Sequence, residues 1–502
     1  MKYGFLILAS ALYGSCTHAV DTNYERKIIV VIPSYNNKEW FELNLGSVFA
    51  QKYSNYHVIY IDDCSPDGTG QLVEKYIKQM GQEHRVTLIQ NKTRLRALAN
   101  TYIALQMCDD DAIVMTYDGD DWFAHDQVFS MYNQIYSDSN IWITYGQFKN
   151  WPTGELGYCA PVSDEIVQKQ WYRRKWWKPG QLRTFYGWLF KQVKLEDFIF
   201  EGPYWQGYYF PANADLAYAY PMMEMAGFHF KFVEDPIYIR NVQTPLNDFK
   251  ANKEVQILGS AILRAKPVYP RLEKPLVGYF DRYNQRTADM VIFSHSPQVL
   301  PQLLISVDQY ILGLNSIIVC YQALNNSDEQ EYQLLQQKHS NIIFNKMSDS
   351  IDQLLTNLKR RSDHVLLAYD SEIFNGCVNI SECVEWLERS FAYSFHLYLG
   401  QNKDTSIHSA TFQEIPALNP INNKIYAWTY MFADGDWATH NNIAGSLYRT
   451  QQLLAQRKNM SKELTIKQFF IKWKTLSVDK LKLGLCFKHS KIAARLVNAL
   501  MI

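Results

Sequence analysis

Short apolar runs that stop abruptly at polar clusters recur along the chain, with stretches of helical periodicity between them. Lys27-Ile-Ile-Val-Val-Ile-Pro33 is an apolar run closed by proline, which predicts a buried strand and then a loop over Ser34–Asn37. Trp40, Phe41, Leu43, Leu45 and Val48 fall at helical spacing and predict a helix from about Glu39 to Gln51. His57-Val-Ile-Tyr-Ile61 reads as a second strand and ends in Asp62-Asp63-Cys64-Ser65-Pro66-Asp67-Gly68. A helix over about Thr69–Gln79, a strand at Val86–Ile89 and a helix from about Leu95 to Met107 follow. The fourth strand, Ala112-Ile-Val-Met-Thr-Tyr117, breaks into Asp118-Gly-Asp-Asp121. Strand and helix alternate at short intervals, the pattern of an α/β, doubly wound, mostly parallel sheet. In such sheets ligands bind beyond the carboxyl ends of the strands. Pro33–Asn36, Asp62/Asp63 and Asp118–Asp121 all fall on that edge.

The pattern then repeats. Asp289-Met-Val-Ile-Phe293-Ser-His-Ser-Pro297 mirrors the first strand and loop, and Ser316-Ile-Ile-Val-Cys-Tyr321 the second strand. Leu300–Leu312 is apolar at helical spacing, and His364-Val-Leu-Leu-Ala-Tyr-Asp370-Ser-Glu372-Ile-Phe mirrors the acidic strand. Order and offsets recur with little identity, which predicts a second module of the same kind. The expected organisation is a leader at 1–20, a first module at 24–250, a connector at 251–285 and a second module at 286–502. The connector is polar and helical from about Phe249 to Lys266, with Pro267 and Pro270 after it.

Acidic groups crowded at the tip of a buried strand repel one another unless a cation sits among them. Gly119 takes backbone angles other residues resist, so Asp118 and Asp120 can converge on one hard divalent ion, Mg2+ or Mn2+. The plainer reading is an acidic turn that merely ends a strand.

Composition narrows the classes. Lys plus Arg equals Asp plus Glu, 50 each, so no global field favours nucleic acid. The scattered cysteines contain no C-x-x-C pair, which points away from zinc and from a disulfide framework. At the N-terminus Lys2 precedes an apolar run from Gly4 to Tyr13, and Thr17-His18-Ala19 fits a small-x-small cleavage pattern, so a signal peptide or uncleaved anchor is expected. That leader points to export or a membrane. The tail after Lys474 is basic and amphipathic and reads as a packing helix or as a peripheral contact with an anionic membrane surface.

Val31-Ile-Pro-Ser-Tyr-Asn36, Ile61-Asp-Asp-Cys-Ser65 and Asp118-Gly-Asp-Asp121 together resemble the glycosyltransferase family 2 pattern on a GT-A fold. The resemblance implies a Rossmann-like, mostly parallel sheet and transfer of a sugar from a nucleotide-diphosphate donor to a glycan or glycolipid acceptor. It implies that Pro33, Tyr35, Asn36 and Asp62 or Asp63 contact the nucleotide, and that Asp118 and Asp120 serve Mn2+ or Mg2+ on the diphosphate. Cytoplasmic donor supply is at odds with the leader. The helical stretch Asn213–Gly227 matches the segment that carries the base in the family. Asp215 is the candidate and Glu224 the alternative. Their other readings are a helix-start acid favoured by the dipole and a partner for a buried cation. Thr93 and Arg94 stand where the family favours small residues, a departure that touches the roles of Arg94 and Arg96.

Trp171–Phe185, dense in aromatics and cations, reads as a loop that closes over the diphosphate, presents an acceptor platform or faces solvent, membrane or a partner. The second half also resembles a glycosyltransferase-like domain through Phe395–Gly400, Trp428, Asp434-Gly-Asp436-Trp437 and Ser446–Arg449. There Asp370 and Glu372 stand where adjacent aspartates are usual, and Asp434 or Asp436 would be the late acid. This second module is either active or a degenerate scaffold. The combined expectation is a metal-dependent, inverting glycosyltransferase with two tandem GT-A-like modules. Nucleotidyl transfer and a non-catalytic carbohydrate-binding or assembly role are the alternatives.

Overall fold

The computed structural model describes residues 24–175, 179–244, 253–406, 411–460, 463–479 and 481–494. The predicted leader at 1–20, part of the aromatic–cationic segment (176–178) and the last residues of the basic tail lie outside the described residues.

The first half forms an eight-stranded sheet in the order β3-β2-β1-β4-β7-β6-β8-β5. Its strands are β1 (Ile28–Ser34), β2 (Tyr56–Asp62), β3 (Val86–Gln90), β4 (Ile113–Thr116), β5 (Trp122–Phe123), β6 (Ile143–Trp151), β7 (Gly180–Tyr186) and β8 (Phe230–Asn241). β1 pairs parallel with β2 and with β4, and β2 with β3, which is the doubly wound half read from the apolar runs. β7 enters antiparallel between β4 and β6. β8 runs parallel to β6 and turns to pair antiparallel with β5.

β7 corrects the expected loop at 171–185. Gln181, Arg183 and Thr184 interrupt its apolar pattern, and periodicity has no way to tell a buried strand polar on its site-facing side from a loop. Inside the sheet its polar groups find partners: the Thr184 hydroxyl shares hydrogen bonds with Thr144 and Tyr136 at 2.7 and 2.9 Å.

The second half repeats the same winding. Its strands are β9 (Ala288–Ser294), β10 (Ile311–Leu312), β11 (Leu314–Tyr321), β12 (Ile342–Lys346), β13 (His364–Tyr369), β14 (Glu372–Phe374), β15 (Val378–Asn379), β16 (Ser394–His396), β17 (Asn419–Pro420), β18 (Ile425–Thr429), β19 (Ser446–Arg449), β20 (Leu483–Phe487) and β21 (Ile492–Ala494). Nine of them form a sheet in the order β12-β11-β9-β13-β19-β16-β20-β18-β17. The path β12-β11-β9-β13 reproduces β3-β2-β1-β4. β19 is antiparallel to β13 and β16, as β7 is to β4 and β6. β16 runs parallel to β20, and β14 pairs antiparallel with β21, as β5 does with β8. The chain is therefore two tandem α/β, GT-A-like modules, the second carrying an added β17–β18 hairpin on its edge.

One apolar cluster runs through both halves, from Tyr102, Phe198 and Tyr209 to Phe395, Ile421 and Leu485. A second cluster fills the other face of the first sheet around Val30, Phe41 and Phe129. Polar ties also cross between the halves. The Lys482 ammonium pairs with Glu196 at 3.0 Å, and the Leu195 amide donates to the Ser390 carbonyl. Every described cysteine is a free thiol. No helix among the described residues is long and apolar enough to cross a membrane.

Candidate active site

The acidic loop after β4 is pressed against the loop after β1. A Cβ on Gly119 would lie 2.8 Å from both Ser34 Cβ and Asn37 Nδ2, so only glycine lets the two loops meet this closely. The contact is held from below: Ser34 Oγ accepts from Tyr60 at 2.8 Å and from Asn37 Nδ2 at 3.0 Å. It is held from the side by Asn44, whose Nδ2 donates to the carbonyls of Asp118 and Asp121 at 2.9 and 2.8 Å.

The three acids of this loop differ. Asp121 is buried and internal: it accepts from Tyr238 Oη at 2.5 Å and from the Asn241 amide at 2.7 Å, and burial pushes its pKa well up. Asp118 is exposed and accepts from Gln181 Nε2 at 2.9 Å. Asp120 is half-buried, and burial together with the Asp118 charge raises its pKa to about 6. Two carboxylates that repel one another in the loop after β4 fit a divalent cation, whose charge would relieve that repulsion. No group of three or more His, Cys, Asp or Glu side chains able to hold a metal occurs among the described residues. Two carboxylates agree with a hard cation that takes its remaining oxygens from phosphate and water.

The neighbouring Asp62 and Asp63 are separated in role by the fold. Asp63 accepts from Asn91 Nδ2 at 2.9 Å and from the Leu95 and Arg96 amides at 2.8 and 2.7 Å, so it caps the helix Arg96–Met107. Asp62 accepts only a long bond from the Ser65 amide at 3.3 Å, and its buried Oδ1 has no partner. Asn36, at φ +56°, has its amide on Ser65 Oγ at 2.9 Å and a buried Oδ1 that is likewise unpaired. Pro33 and Tyr35 stand beside them, and the Arg94 guanidinium lies 3.6 Å from the centre of the Tyr35 ring. Asp62, Asp67 and Asp120 all raise the pKa of the buried Tyr60 hydroxyl, which places Asp62 and Asp120 near the same point of the sheet's edge.

Asp215, in the first turn of the helix Ala214–Ala226, keeps 35% of its side chain exposed and pairs with Arg183 Nη1 at 3.4 Å. Arg183 itself is 6% exposed, sits opposite Thr116 in the sheet, and has an unpaired Nε. Asp118, Asp215, Tyr158 and Tyr218 all act on it, so one buried cation lies between the acidic loop and the candidate base. Sequence reading missed this role; a cation within the aromatic stretch 171–185 was its only signal. Glu224 is a correction. It is fully buried, with its oxygens on Arg173 Nε and Nη2 at 2.6 and 2.9 Å and on the Tyr269 amide at 3.1 Å. Arg173 also donates to the Leu263 carbonyl at 2.6 Å. This buried pair fastens the helix to Leu263 and Tyr269.

In the second module the corresponding acids are engaged differently. Asp370 Oδ2 accepts from Ser294 Oγ, the His295 amide and the Ser296 amide at 2.9, 2.7 and 3.0 Å, so it ties the loop after β9. Asp434 is exposed and caps its own turn at 2.7 Å, while Asp436 is buried and accepts from Ser406 Oγ at 3.0 Å. Glu372 is 2% exposed and no side chain bonds its carboxyl, which burial pushes well above the usual range. Below about pH 4.5 both folded and unfolded chains hold this proton. Above it the fold holds the proton that the unfolded chain has lost, so wild-type stability falls as pH rises, until the folded pKa is passed. Glu372→Gln is expected to be the more stable form at pH 7, with the gap closing as pH approaches 4.5. Thermal midpoints across that range check this; a gap independent of pH would mean the carboxyl is ionised against an unseen partner.

Residues 29–197 match the family model of glycosyl transferase family 2. The chain carries a family 2 glycosyltransferase domain. The putative teichuronic acid biosynthesis glycosyltransferase TuaG of Bacillus subtilis is 33% identical over 96 residues, which is 18% of this chain and 38% of that protein. Glycosyltransferase GlyA of Streptococcus pneumoniae is 29% identical over 186 residues, 35% of this chain and 26% of that one. The chain thus spans well under half the length of either relative. Among solved structures, S. aureus TarS 1–349 in complex with UDP-GlcNAc is 18% identical, covering 43% of this chain and 59% of that one at a TM-score of 0.33. The mannosyltransferase PcManGT of Pyrobaculum calidifontis, in complex with GDP-Man and Mn2+, is 17% identical, covering 51% and 68% at a TM-score of 0.34. The family 2 match takes in β1 to β7 and the acidic loop, and ends before the helix that carries Asp215.

Proposed function

We propose that residues 24–250 form a sugar-transfer module that moves a glycosyl group from a nucleoside-diphosphate donor to a hydroxyl of a glycan or glycolipid. The observation that supports this reading is the close packing of the acidic loop on the loop after β1, at Gly119 against Ser34 and Asn37, within the stretch matched by the family 2 model. Asp118 and Asp120 would hold Mn2+ or Mg2+. When bound, that ion supplies positive charge to the departing diphosphate. Tyr35 offers a ring face to the base, with Arg94 as a displaceable cover. The unpaired oxygens of Asp62 and Asn36 accept from base or ribose N–H and O–H groups.

Asp215 takes the proton from the acceptor hydroxyl as that oxygen attacks the anomeric carbon. Arg183 keeps its carboxylate turned into the cleft. Attack from the side opposite the leaving group in one displacement gives inversion. Asp215→Asn is expected to lower kcat by roughly 10²–10⁴ with little change in donor binding, read by steady-state kinetics and calorimetry. For the module at 286–502, after the connector at 251–285, we propose a scaffold role, supported by the engagement of Asp370 with its own loop.

The deciding experiment is a thermal-shift panel of UDP, GDP and their sugar conjugates with and without Mn2+. A ligand at a hundredfold its Kd adds about 2.7 kcal/mol of stability. A midpoint rise that needs both nucleotide and metal supports the proposal. No rise with any diphosphate at millimolar concentration would sink it.

A further inference from the structure

Residues 198–210 of the first module form a hairpin: the Phe200 amide donates to the Tyr208 carbonyl at 2.8 Å, and the Phe210 amide to the Phe198 carbonyl at 3.0 Å. The hairpin touches both ends of the proposed site. Its Trp205 ring lies 4.2 Å beneath the Arg96 guanidinium, and the Arg96 amide caps onto Asp63 beside the nucleotide loops. From Phe210 the chain runs through Asn213, at φ +61°, straight into the helix turn that holds Asp215.

The second module grips this hairpin. Asn419, on β17 and 1% exposed, accepts from the Tyr209 amide at 2.9 Å and donates its Nδ2 to the Gly207 carbonyl. Tyr209 Oη donates to the Pro420 carbonyl at 3.0 Å. Gly207, at φ +79°, seats so closely that a Cβ would lie 3.2 Å from Ala417 and 3.3 Å from Phe432. β17 belongs to the hairpin that the second sheet has and the first lacks. One buried side-chain amide thus satisfies two backbone groups of a loop in the other module, which a mere packing contact does not require.

We propose that Asn419 is a positioning residue for the first module's reaction: it fixes the 198–210 hairpin, and through it both Trp205 at the nucleotide edge and the start of the Asp215 helix. This rests on the sugar-transfer reading, and gives the second module a task that needs no chemistry of its own. The test compares full-length wild type with Asn419→Leu and Asn419→Asp. Val384→Ala, in the second module's core, serves as a control matched for loss of thermal midpoint. Hydrogen exchange over 198–217 and the Kd of UDP and GDP with Mn2+ are measured for each.

Asn419→Leu should exchange about tenfold faster over the hairpin and the first turn of the Asp215 helix, and bind its diphosphate about fivefold more weakly. Asn419→Asp, which keeps the acceptor for Tyr209, should fall between, and the control should change neither. Unaltered exchange in Asn419→Leu, or the same changes in the control, overturns the proposal. If wild type binds neither diphosphate, the sugar-transfer reading falls by itself. Exchange at residues 213–217 then decides this inference: acceleration there supports it, and an unchanged first turn overturns it.

Discussion

Replacing Asp120 with alanine is expected to cut sugar transfer by about a thousandfold or more, some 4 kcal/mol of barrier, without lowering the thermal midpoint. The two halves of that result have one cause. Asp120 is an acid whose charge the fold resists: burial and Asp118 push its pKa to about 6. Removing it relieves repulsion on Asp118 and Asp121, so the metal-free protein should be as stable as wild type or slightly more so. Under the proposed function the same removal would delete one of the two carboxylates that would hold the cation, and with it the charge that a departing diphosphate needs. A structural acid behaves in the opposite way, losing stability first. Activity and midpoint measured on the same preparation therefore test the assignment. Transfer at the normal rate in Asp120→Ala, or full wild-type activity in chelator, would refute a metal role for this loop.

Arg173→Met is expected to destabilise the protein by about 3–5 kcal/mol, because it strands the Glu224 carboxylate inside the core. For a module of this size that lowers the midpoint by roughly 10 °C. Glu224 is fully buried and Arg173 nearly so, and each is hydrogen-bonded to backbone as well as to the other. Burial raises the Glu224 pKa against the pull of Arg173, so an unpaired carboxyl there would take up a proton or open the fold. The double variant Arg173→Met/Glu224→Leu should recover much of the loss, since an apolar pair of similar volume carries no desolvation cost. Activity per folded molecule should be unchanged in that double variant. A collapse of kcat in it, with the midpoint restored, would return Glu224 to the chemistry.

The two predictions separate acids that sequence reading had grouped together. Asp215 and Glu224 lie on one helix with comparable local surroundings in sequence. Which of them faces water depends on Arg173, Tyr269 and Leu263, residues far away along the chain. Asp62 and Asp63 are adjacent, yet alternation along β2 and the following loop sends one toward Ser65 and the other under the helix Arg96–Met107. Arg183 was visible as a cation in an aromatic stretch. Its place between Asp118 and Asp215 depends on β7 running antiparallel beside β4, which no local pattern encodes.

Local pattern was enough for the parallel core of each half. Apolar runs of strand length ended by Pro33, Asp62 and Asp118 located the parallel strands β1, β2 and β4 and their carboxyl edge, because burial on both faces demands unbroken apolar side chains. Repetition of those runs after residue 288 foretold a second module, and the strand orders of the two sheets agree. What periodicity had no access to was the pairing of buried polar groups: Glu224 with Arg173, Asp370 with its own loop, Asn419 with a hairpin of the other module. Hydrophobic burial is read residue by residue, whereas a buried charge or amide is tolerable only with a specific partner, and folding alone chooses that partner.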